Sequence, residues 1–149
     1  MDGKRIQGMN SLTFVVYGLP APQGSKRHMG NGILVESSKA VRPWRQDVKH
    51  AALACLPHDW NPSLPMAVSV VFRFKRPAHH IIKSGLSSTA PQHCTSARKG
   101  DVDKLLRSTF DAITDVAWND DRQVVTVNAS KRYCTTDEPQ GAIITITPL

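Results

Sequence analysis

The sequence DVDKLLRSTFDAITDVAWNDDRQVV, residues 101–125, decides the fold of this chain. Its first half has apolar residues at helical spacing, and they form one stripe: Val102, Leu106, Phe110, Ile113 and Ala117. We therefore expect the strongest helix of the chain over about residues 102–114. The second half leads through two adjacent aspartates into an alternating segment near Gln123, which predicts a strand.

Segments on both sides of this stretch complete the fold. A basic loop is predicted over residues 23–32, followed by a short strand at residues 33–36. Another helix begins near Pro43, because proline is tolerated in a first helical turn, and it ends before Pro57. Three further strands are predicted at residues 12–17, 66–74 and 142–147, and the strand after Gln123 is expected at residues 125–130.

Length and composition set the broad class of protein. A chain of 149 residues with 40% hydrophobic residues suits one compact domain. The order of elements predicts a single α+β domain over residues 11–149, with a mixed or antiparallel sheet and two main helices packed on it. Residues 1–10 are expected to form a flexible lead-in.

The charge of the chain favours a polyanionic partner. The formal net charge is +7 and the sequence pI is about 9.7, a surplus that supports nucleic-acid binding through counterion release. A merely soluble basic protein remains the alternative on charge alone. We expect no membrane partner and no organic cofactor.

Cysteine usage and hydropathy indicate the compartment. Cys55, Cys94 and Cys134 are widely spaced and form no C-x-x-C pair, which argues against a disulfide framework or a zinc knuckle. The early apolar run that ends at Pro20 is too short for a signal segment or a membrane span. These features predict a cytoplasmic protein.

Two acidic pairs are the candidate chemical groups. Asp101 and Asp103 stand where a basic segment meets the strongest helix, and Asp120 and Asp121 lie between that helix and the next strand. Each pair also has a structural interpretation, since acids cap helix N-termini and aspartate favours turns. If a returning strand brings Asp121 to Asp103, the carboxylates repel each other and require a divalent cation. Oxygen ligands favour Mg²⁺ or Mn²⁺ over Zn²⁺, and such a site in a basic protein suits phosphodiester hydrolysis.

Other polar residues leave alternatives open. Arg107 follows Asp103 by one helical turn, and it either holds a phosphate or forms a salt bridge to Asp103 or Asp111. Three histidines lie in the long loop before the strongest helix, and their spacing matches no zinc pattern, which favours loop or phosphate contacts over a metal site: His79, His80 and His93.

The quoted stretch resembles the RusA family of Holliday-junction resolvases, in the versions carried by phages and prophages. The family pattern D-x-D-N-L or D-x-D-K-L, then F-D-A-L, then W-x-D-D-x-Q-V is followed closely from Asp101 to Val125. Weaker matches lie at residues 18–27 and 43–45. The resemblance implies a magnesium-dependent endodeoxyribonuclease, a hydrolase that resolves four-way DNA junctions by paired nicks in recombination and repair.

The resemblance also assigns roles by position. It implies that three aspartates bind Mg²⁺ and act in catalysis: Asp101, Asp103 and Asp121. Asp120 is a possible helper, and Arg107 stands where a basic residue assists cleavage. Several relatives have lysine there; arginine keeps the charge but does not give up a proton. Gly100 stands where many relatives have proline. A homodimer is implied as well, since two equivalent sites suit a junction with approximate two-fold symmetry.

Basic residues near these motifs are candidate contacts to the DNA backbone: Lys26, Arg27, Lys99 and Lys104. Three alternatives to junction cleavage remain. The chain is a nuclease for flaps, forks or plain duplex, or a basic nucleic-acid-binding protein without catalysis, or an interaction protein whose acids are only caps and turns. Cleavage of a junction compared with its linear arms separates the first alternative, and Asp103→Asn separates the second. The third predicts neither junction binding nor a response to Mg²⁺.

Overall fold

The computed structural model describes residues 10–24, 26–28, 34–36 and 39–149, and only the backbone of 26–28 and 34–36. Residues 1–9 of the predicted lead-in lie outside this part of the chain. The helices and strands of the described residues are, in chain order, β1 (Leu12–Tyr17), β2 (Lys26–His28), β3 (Leu34–Glu36), α1 (Val41–Cys55), β4 (Met66–Phe74), β5 (Ile81–Ile82), β6 (Gly85–Leu86), α2 (Val102–Ile113), β7 (Val124–Tyr133) and β8 (Gly141–Pro148).

A mixed sheet with the strand order β1-β8-β4-β7 organises the domain. Strand β8 pairs antiparallel with β1 and with β4, whereas β4 and β7 run parallel. The strands β2 and β3 pair antiparallel in a separate ladder, and so do β5 and β6. The predicted α+β class with two helices on a mixed sheet is confirmed. The strand at Lys26–His28 corrects the prediction of a loop throughout residues 23–32.

One face of the sheet carries the hydrophobic core. Val68, Val70 and Phe72 alternate along β4 and are at most 3% exposed. Trp44 and Val48 of α1, a helix that packs against β1 and α2, are fully buried in the same core. The residues that predicted β4 by alternation and α1 by helical spacing are thus the ones buried in the core.

The buried side of α2 differs from the predicted stripe. Its buried residues are Leu105, Ser108, Thr109, Ala112 and Ile113. Val102, Leu106 and Phe110 are only half-buried. The two hydroxyls are tolerated in the core because they are hydrogen-bonded. Ser108 Oγ donates to the carbonyl oxygen of Ala21 at 2.6 Å, and Thr109 Oγ1 donates to that of Leu105 at 2.8 Å.

The long segment between β4 and α2 is attached to the end of β7. Arg76 donates from Nε to the carbonyl oxygen of Cys134 at 2.9 Å and from a terminal nitrogen to that of Pro91 at 2.8 Å. The buried ring of His80 meets the Tyr133 ring edge-on, with centroids 4.9 Å apart. This segment is therefore ordered by specific contacts. Among the described residues, neither helix has the length and apolar character that a membrane span requires.

Candidate active site

The first acidic pair lies at the start of α2. Asp101 has the extended backbone of an N-cap residue, but its side chain makes no capping hydrogen bond. One of its oxygens lies 3.7 Å from Lys104 Nζ, and because the carboxylate is 71% exposed this ion pair contributes little stability. Asp103 in the first turn is exposed too. The pair is thus presented to solvent, and helix capping does not explain the Asp101 side chain.

Gly100 fixes the point at which α2 begins. Its φ of +94° lies in the region that favours glycine, and a Cβ atom here would lie 2.6 Å from Cγ of Pro22. The carbonyl oxygen of Gly100 accepts a hydrogen bond of 2.7 Å from Lys131 Nζ. Because Lys131 belongs to β7, the first turn of α2 is attached to the C-terminal half of that strand.

The segment after β1 lies across the exposed side of α2. The backbone nitrogen of Gln23 donates to the carbonyl oxygen of Lys104 at 3.0 Å, and its Nε2 donates to Oδ2 of Asp111 at 2.6 Å. Gly24 follows with a φ of +113°, and a Cβ atom there would lie 3.0 Å from a terminal nitrogen of Arg107. Glycine at this position lets the chain approach the guanidinium closely.

Arg107 lies on the exposed side of α2, one turn after Asp103. Neither Asp103 nor Asp111 lies within salt-bridge distance of it; the ion pairs of the described residues involve Arg73, Lys104 and Arg132 instead. The salt-bridge interpretation of Arg107 is therefore not realised in the described part of the chain. Its guanidinium lies beside the backbone of Gly24, where it can meet an anion that approaches α2.

The second acidic pair is held in a single 3-10 turn, Asp121–Gln123. Asp120 precedes the turn and accepts a hydrogen bond of 2.9 Å from the backbone nitrogen of Arg122. The Gln123 side chain accepts from the backbone nitrogens of Asn119 and Asp120, both at 2.9 Å. Asp120 thus caps the turn, as its structural interpretation predicts, whereas Asp121 presents an exposed carboxylate.

Contacts to the segment before β4 fix this turn in space. Gln123 Nε2 donates to the carbonyl oxygens of Pro62 at 2.7 Å and Leu64 at 2.9 Å. The indole nitrogen of Trp60 donates to the carbonyl oxygen of Ala117 at 2.8 Å. The W-x-D-D-x-Q-V pattern therefore has a structural basis, because its glutamine attaches the acidic pair to the body of the domain.

A polar cavity of about 300 Å³ lies beside this turn. It is lined by Arg45, Asp111, Thr114, Asn119, Asp120 and Asp121. Sequence patterns alone do not predict Arg45, Asp111 or Thr114 as site residues. The spacing of Asp111, one turn beyond Arg107 on the same side of α2, was the available signal. Arg45 lies in the weak family match at residues 43–45, but that match did not place it at the site, because Arg45 belongs to another helix and reaches the cavity through the packing of α1 against α2.

Carboxylate oxygens suit a hard divalent cation, but one described copy of the chain does not gather enough of them. Within the described residues, no three His, Cys, Asp or Glu side chains lie close enough to hold a metal ion. Helix α2 is the reason. Asp101 and Asp103 lie at its start and Asp121 lies beyond its end, and its 12 residues span about 18 Å. The predicted three-carboxylate group is therefore not assembled within one described copy.

The candidate DNA contacts are only partly described. Lys104 flanks Asp101, and Lys99 Nζ lies 6.0 Å from the ring centroid of Phe74, in the turn before α2. Both lysines border the first acidic pair. Lys26 and Arg27 are placed in β2, but their side chains lie outside the described residues.

The loop histidines do not form a metal site within the described part of the chain. The rings of His79 and His80 meet edge-on at 4.6 Å, and a terminal nitrogen of Arg76 lies 3.3 Å from Nδ1 of His80. Burial lowers the pKa of His80 from its ordinary value, with smaller contributions from His79 and Arg76. His80 is thus a neutral packing residue at neutral pH.

Comparison with known proteins gives one match that covers most of the chain. The family described as Endodeoxyribonuclease RusA matches residues 18–147. No curated protein matches the chain. The matched range contains both acidic pairs, Arg107 and the segment across α2.

Proposed function

The chain belongs to the RusA family of endodeoxyribonucleases, and we propose that it cuts branched DNA, with four-way junctions as the preferred substrate, by magnesium-dependent hydrolysis. The observation that carries this proposal is the state of three aspartates. The side chains of Asp103 and Asp121 make no hydrogen bond or salt bridge with the described residues, and that of Asp101 makes only a long contact to Lys104. Exposed carboxylates in a chain of net charge +7 are costly beside DNA unless a cation accompanies them.

The proposed ligands are carboxylate oxygens, which suit Mg²⁺ and also Mn²⁺. Asp101, Asp103 and Asp121 would hold the ion, with Asp120 as a helper through the oxygen that does not cap the turn. Such an ion supplies positive charge at the scissile phosphate. Because one described copy separates these residues along α2, we propose that the active form is a homodimer in which each site takes ligands from both copies.

The chain's own residues would position the DNA. Arg107 presents a guanidinium beside Gly24, and it would steady charge on the phosphate without transferring a proton. Lys99 and Lys104 border the first acidic pair and would contact neighbouring phosphates. Such contacts place the substrate without reading its sequence. Lys26 and Arg27 complete the proposed set of backbone contacts. A cytoplasmic location, in a bacterium or for a phage-encoded protein, is part of the proposal.

A nicking assay tests the activity and the substrate together. A fixed four-way junction, a flap and the linear arms are each incubated with Mg²⁺ or EDTA. We expect nicking of the junction in Mg²⁺ only, and a loss of at least about 100-fold in Asp103→Asn while junction binding persists. Asp115→Asn is the matched control, because Asp115 has a φ of +71°, which asparagine tolerates, and lies outside the cavity. Equal cleavage of flaps would contradict the preference for four-way junctions. Cleavage in EDTA would contradict the dependence on a metal ion.

A mixing experiment tests whether two copies share each site. Asp103→Asn and Asp121→Asn chains are inactive alone, and they are unfolded and refolded together. If the ligands come from both copies, each mixed dimer has one complete set, which restores nicking to about a quarter of the wild-type site number. Mn²⁺ bound per dimer, measured by electron paramagnetic resonance, should recover in parallel. No recovery of either signal would show that each copy holds its own ion.

A further inference from the structure

A short hairpin projects from the segment between β4 and α2. Its strands β5 and β6 pair antiparallel, with Ile81 opposite Leu86 and Ile82 opposite Gly85. The three large apolar side chains are about half exposed: Ile81 49%, Ile82 52% and Leu86 47%. A Cβ atom at Gly85 would meet no described atom within 4 Å beyond its chain neighbours, so the tip stands clear of the domain. Apolar side chains grouped in this way on a surface are typical of a contact site.

The base of this hairpin is fixed to the domain. The backbone nitrogen of Ser87 donates to the carbonyl oxygen of His80 at 2.9 Å, which continues the ladder below Ile81. The ring of His80 is buried and packs edge-on against Tyr133 at the end of β7. A firmly attached base holds the apolar tip in its exposed position, so a partner that covers the tip orders little further chain.

The hairpin lies at the same end of the sheet as the first acidic pair. It follows the end of β4 and packs against the end of β7, and because these strands are parallel, both end at one edge of the sheet. The same edge holds the start of α2: Lys99 Nζ lies 6.0 Å from the ring centroid of Phe74, the last residue of β4. Lys131 of β7 also donates to the carbonyl oxygen of Gly100. DNA that reaches Asp101 therefore comes to the end of the sheet that carries the hairpin.

The segment around the hairpin is basic throughout. Residues 75–100 contain no aspartate or glutamate. Lys83 lies in the turn between β5 and β6, and four more cations belong to the same segment: Lys75, Arg76, Arg98 and Lys99. A second copy of a chain with net charge +7 offers these cations no complementary charge, whereas DNA does. The charge around the apolar tip thus favours a nucleic acid as its partner.

We propose that the hairpin places Ile81, Ile82 and Leu86 against unstacked bases at the branch point of DNA, an inference that rests on the proposed function. The faces of the bases are the apolar surface of DNA. In a continuous duplex each face is covered by its neighbours, and insertion of a side chain costs the unstacking energy. At a branch point the stack is already interrupted, so the cost is lower. The hairpin thereby favours branched DNA over linear arms without reading sequence.

Fluorescence of 2-aminopurine, a base analogue that brightens when it leaves the stack, tests the insertion. The analogue is placed at the branch point of a four-way junction or in the middle of one arm, and the chain carries Asp103→Asn so that the strands stay whole. We expect a rise of at least about twofold at the branch point and none within the arm. Ile81→Thr/Ile82→Thr keeps β-branched side chains in β5 but removes their apolar ends. It should abolish the rise and weaken junction binding about tenfold, with duplex binding nearly unchanged.

Two further variants separate insertion from general effects. Val15→Thr is the matched control, because it shortens an apolar side chain that is 38% exposed on β1, and it should change neither the fluorescence nor the affinity. Lys83→Gln should weaken junction and duplex binding alike and reduce their salt dependence, while the rise in fluorescence persists.

Four results would overturn the inference. They are no rise with the parent chain, a rise that survives Ile81→Thr/Ile82→Thr, an equal loss of junction and duplex binding in that variant, and an equal loss in Val15→Thr. Light scattering is the remaining check: a lower mass for the double variant would assign the hairpin to contact between copies instead. If the branch point brightens but the chain without Asp103→Asn does not nick the junction in Mg²⁺, the proposed hydrolysis is refuted and the insertion stands.

Discussion

Gln23 and Asp111 are joined by a side-chain hydrogen bond of 2.6 Å, from Nε2 to Oδ2, across 88 residues of sequence. It attaches the segment after β1 to α2, beside the guanidinium of Arg107. The same segment leads into β2, which carries the proposed DNA contacts Lys26 and Arg27. One amide thus links the site on α2 to the basic strand.

Gln23→Glu is expected to break this link, since two carboxylates would then face each other. We expect a loss of about 1–3 kcal/mol in the free energy of unfolding, the usual cost of a disrupted hydrogen bond with a charged group. DNA affinity should also fall, because β2 loses its anchor. Urea unfolding and junction binding measure the two effects. Gln92→Glu, at an exposed position, is the control. An equal loss of stability there would show that the added negative charge, and not the broken hydrogen bond, is the cause.

Gly100→Ala should destabilise the start of α2. The added Cβ would lie 2.6 Å from Pro22, in a backbone conformation that alanine rarely adopts. We expect a cost of about 1–3 kcal/mol in thermal unfolding, with weaker Mn²⁺ binding because Asp101 follows directly. Gly85→Ala is a useful comparison, since Gly85 also has a positive φ but has open space around it. Equal costs at both positions would show that backbone strain alone matters, and not the contact with Pro22.

Glu138 should make stability depend on pH. It accepts hydrogen bonds of 2.6 and 2.8 Å from Arg132 and one of 2.8 Å from the backbone nitrogen of Thr135. These donors, Arg132 foremost, hold the pKa of Glu138 well below its ordinary value of 4.5. A lowered pKa stabilises the fold above that ordinary value, and the contribution is lost as the pH falls below it.

Glu138→Gln is therefore expected to cost about 1–3 kcal/mol at pH 7, and the difference from wild type should shrink steadily towards pH 3. The buried Arg73, whose terminal nitrogen lies 3.4 Å from Glu138, adds to the cost at neutral pH. Unfolding in urea at several pH values measures it. Asp137→Asn, at an exposed neighbour, should show no such trend. A difference that is constant with pH would contradict the account.

The sequence predicts those parts of the fold that depend on local repetition. Strand β4 occupies the predicted residues 66–74, and α1 ends before Pro57 as expected. The buried side of α2 was predicted only in part: Ile113 and Ala117 are buried as expected, whereas the burial of Ser108 and Thr109 was missed because it depends on distant partners. The hydroxyl of the buried Thr109 accepts a hydrogen bond from the indole nitrogen of Trp44, 65 residues away. The hydroxyl of the buried Ser108 donates to the carbonyl oxygen of Ala21, 87 residues away. No periodicity records such partners.

The candidate site shows the same division. The positions of the two acidic pairs, at a helix start and in a turn, follow from sequence, because capping and turn preferences are local. Their distance from each other does not follow, since it depends on the length of α2 and on the path of the chain after it. Arg45 reaches the cavity through helix packing, and only the folded chain reveals that contact.

Arg107 distinguishes phosphate stabilisation from simple attraction. If its guanidinium steadies charge that develops during cleavage, Arg107→Ala should lower the single-turnover nicking rate by about 100-fold while junction affinity changes little. Arg107→Lys should recover part of the rate, because lysine keeps the charge but lacks the planar fork. Arg98→Ala, in the exposed turn before α2, is the control; it should weaken binding and reduce its salt dependence but leave the nicking rate unchanged. If Arg107→Ala instead weakens binding as Arg98→Ala does and leaves the rate unchanged, Arg107 is one phosphate contact among several.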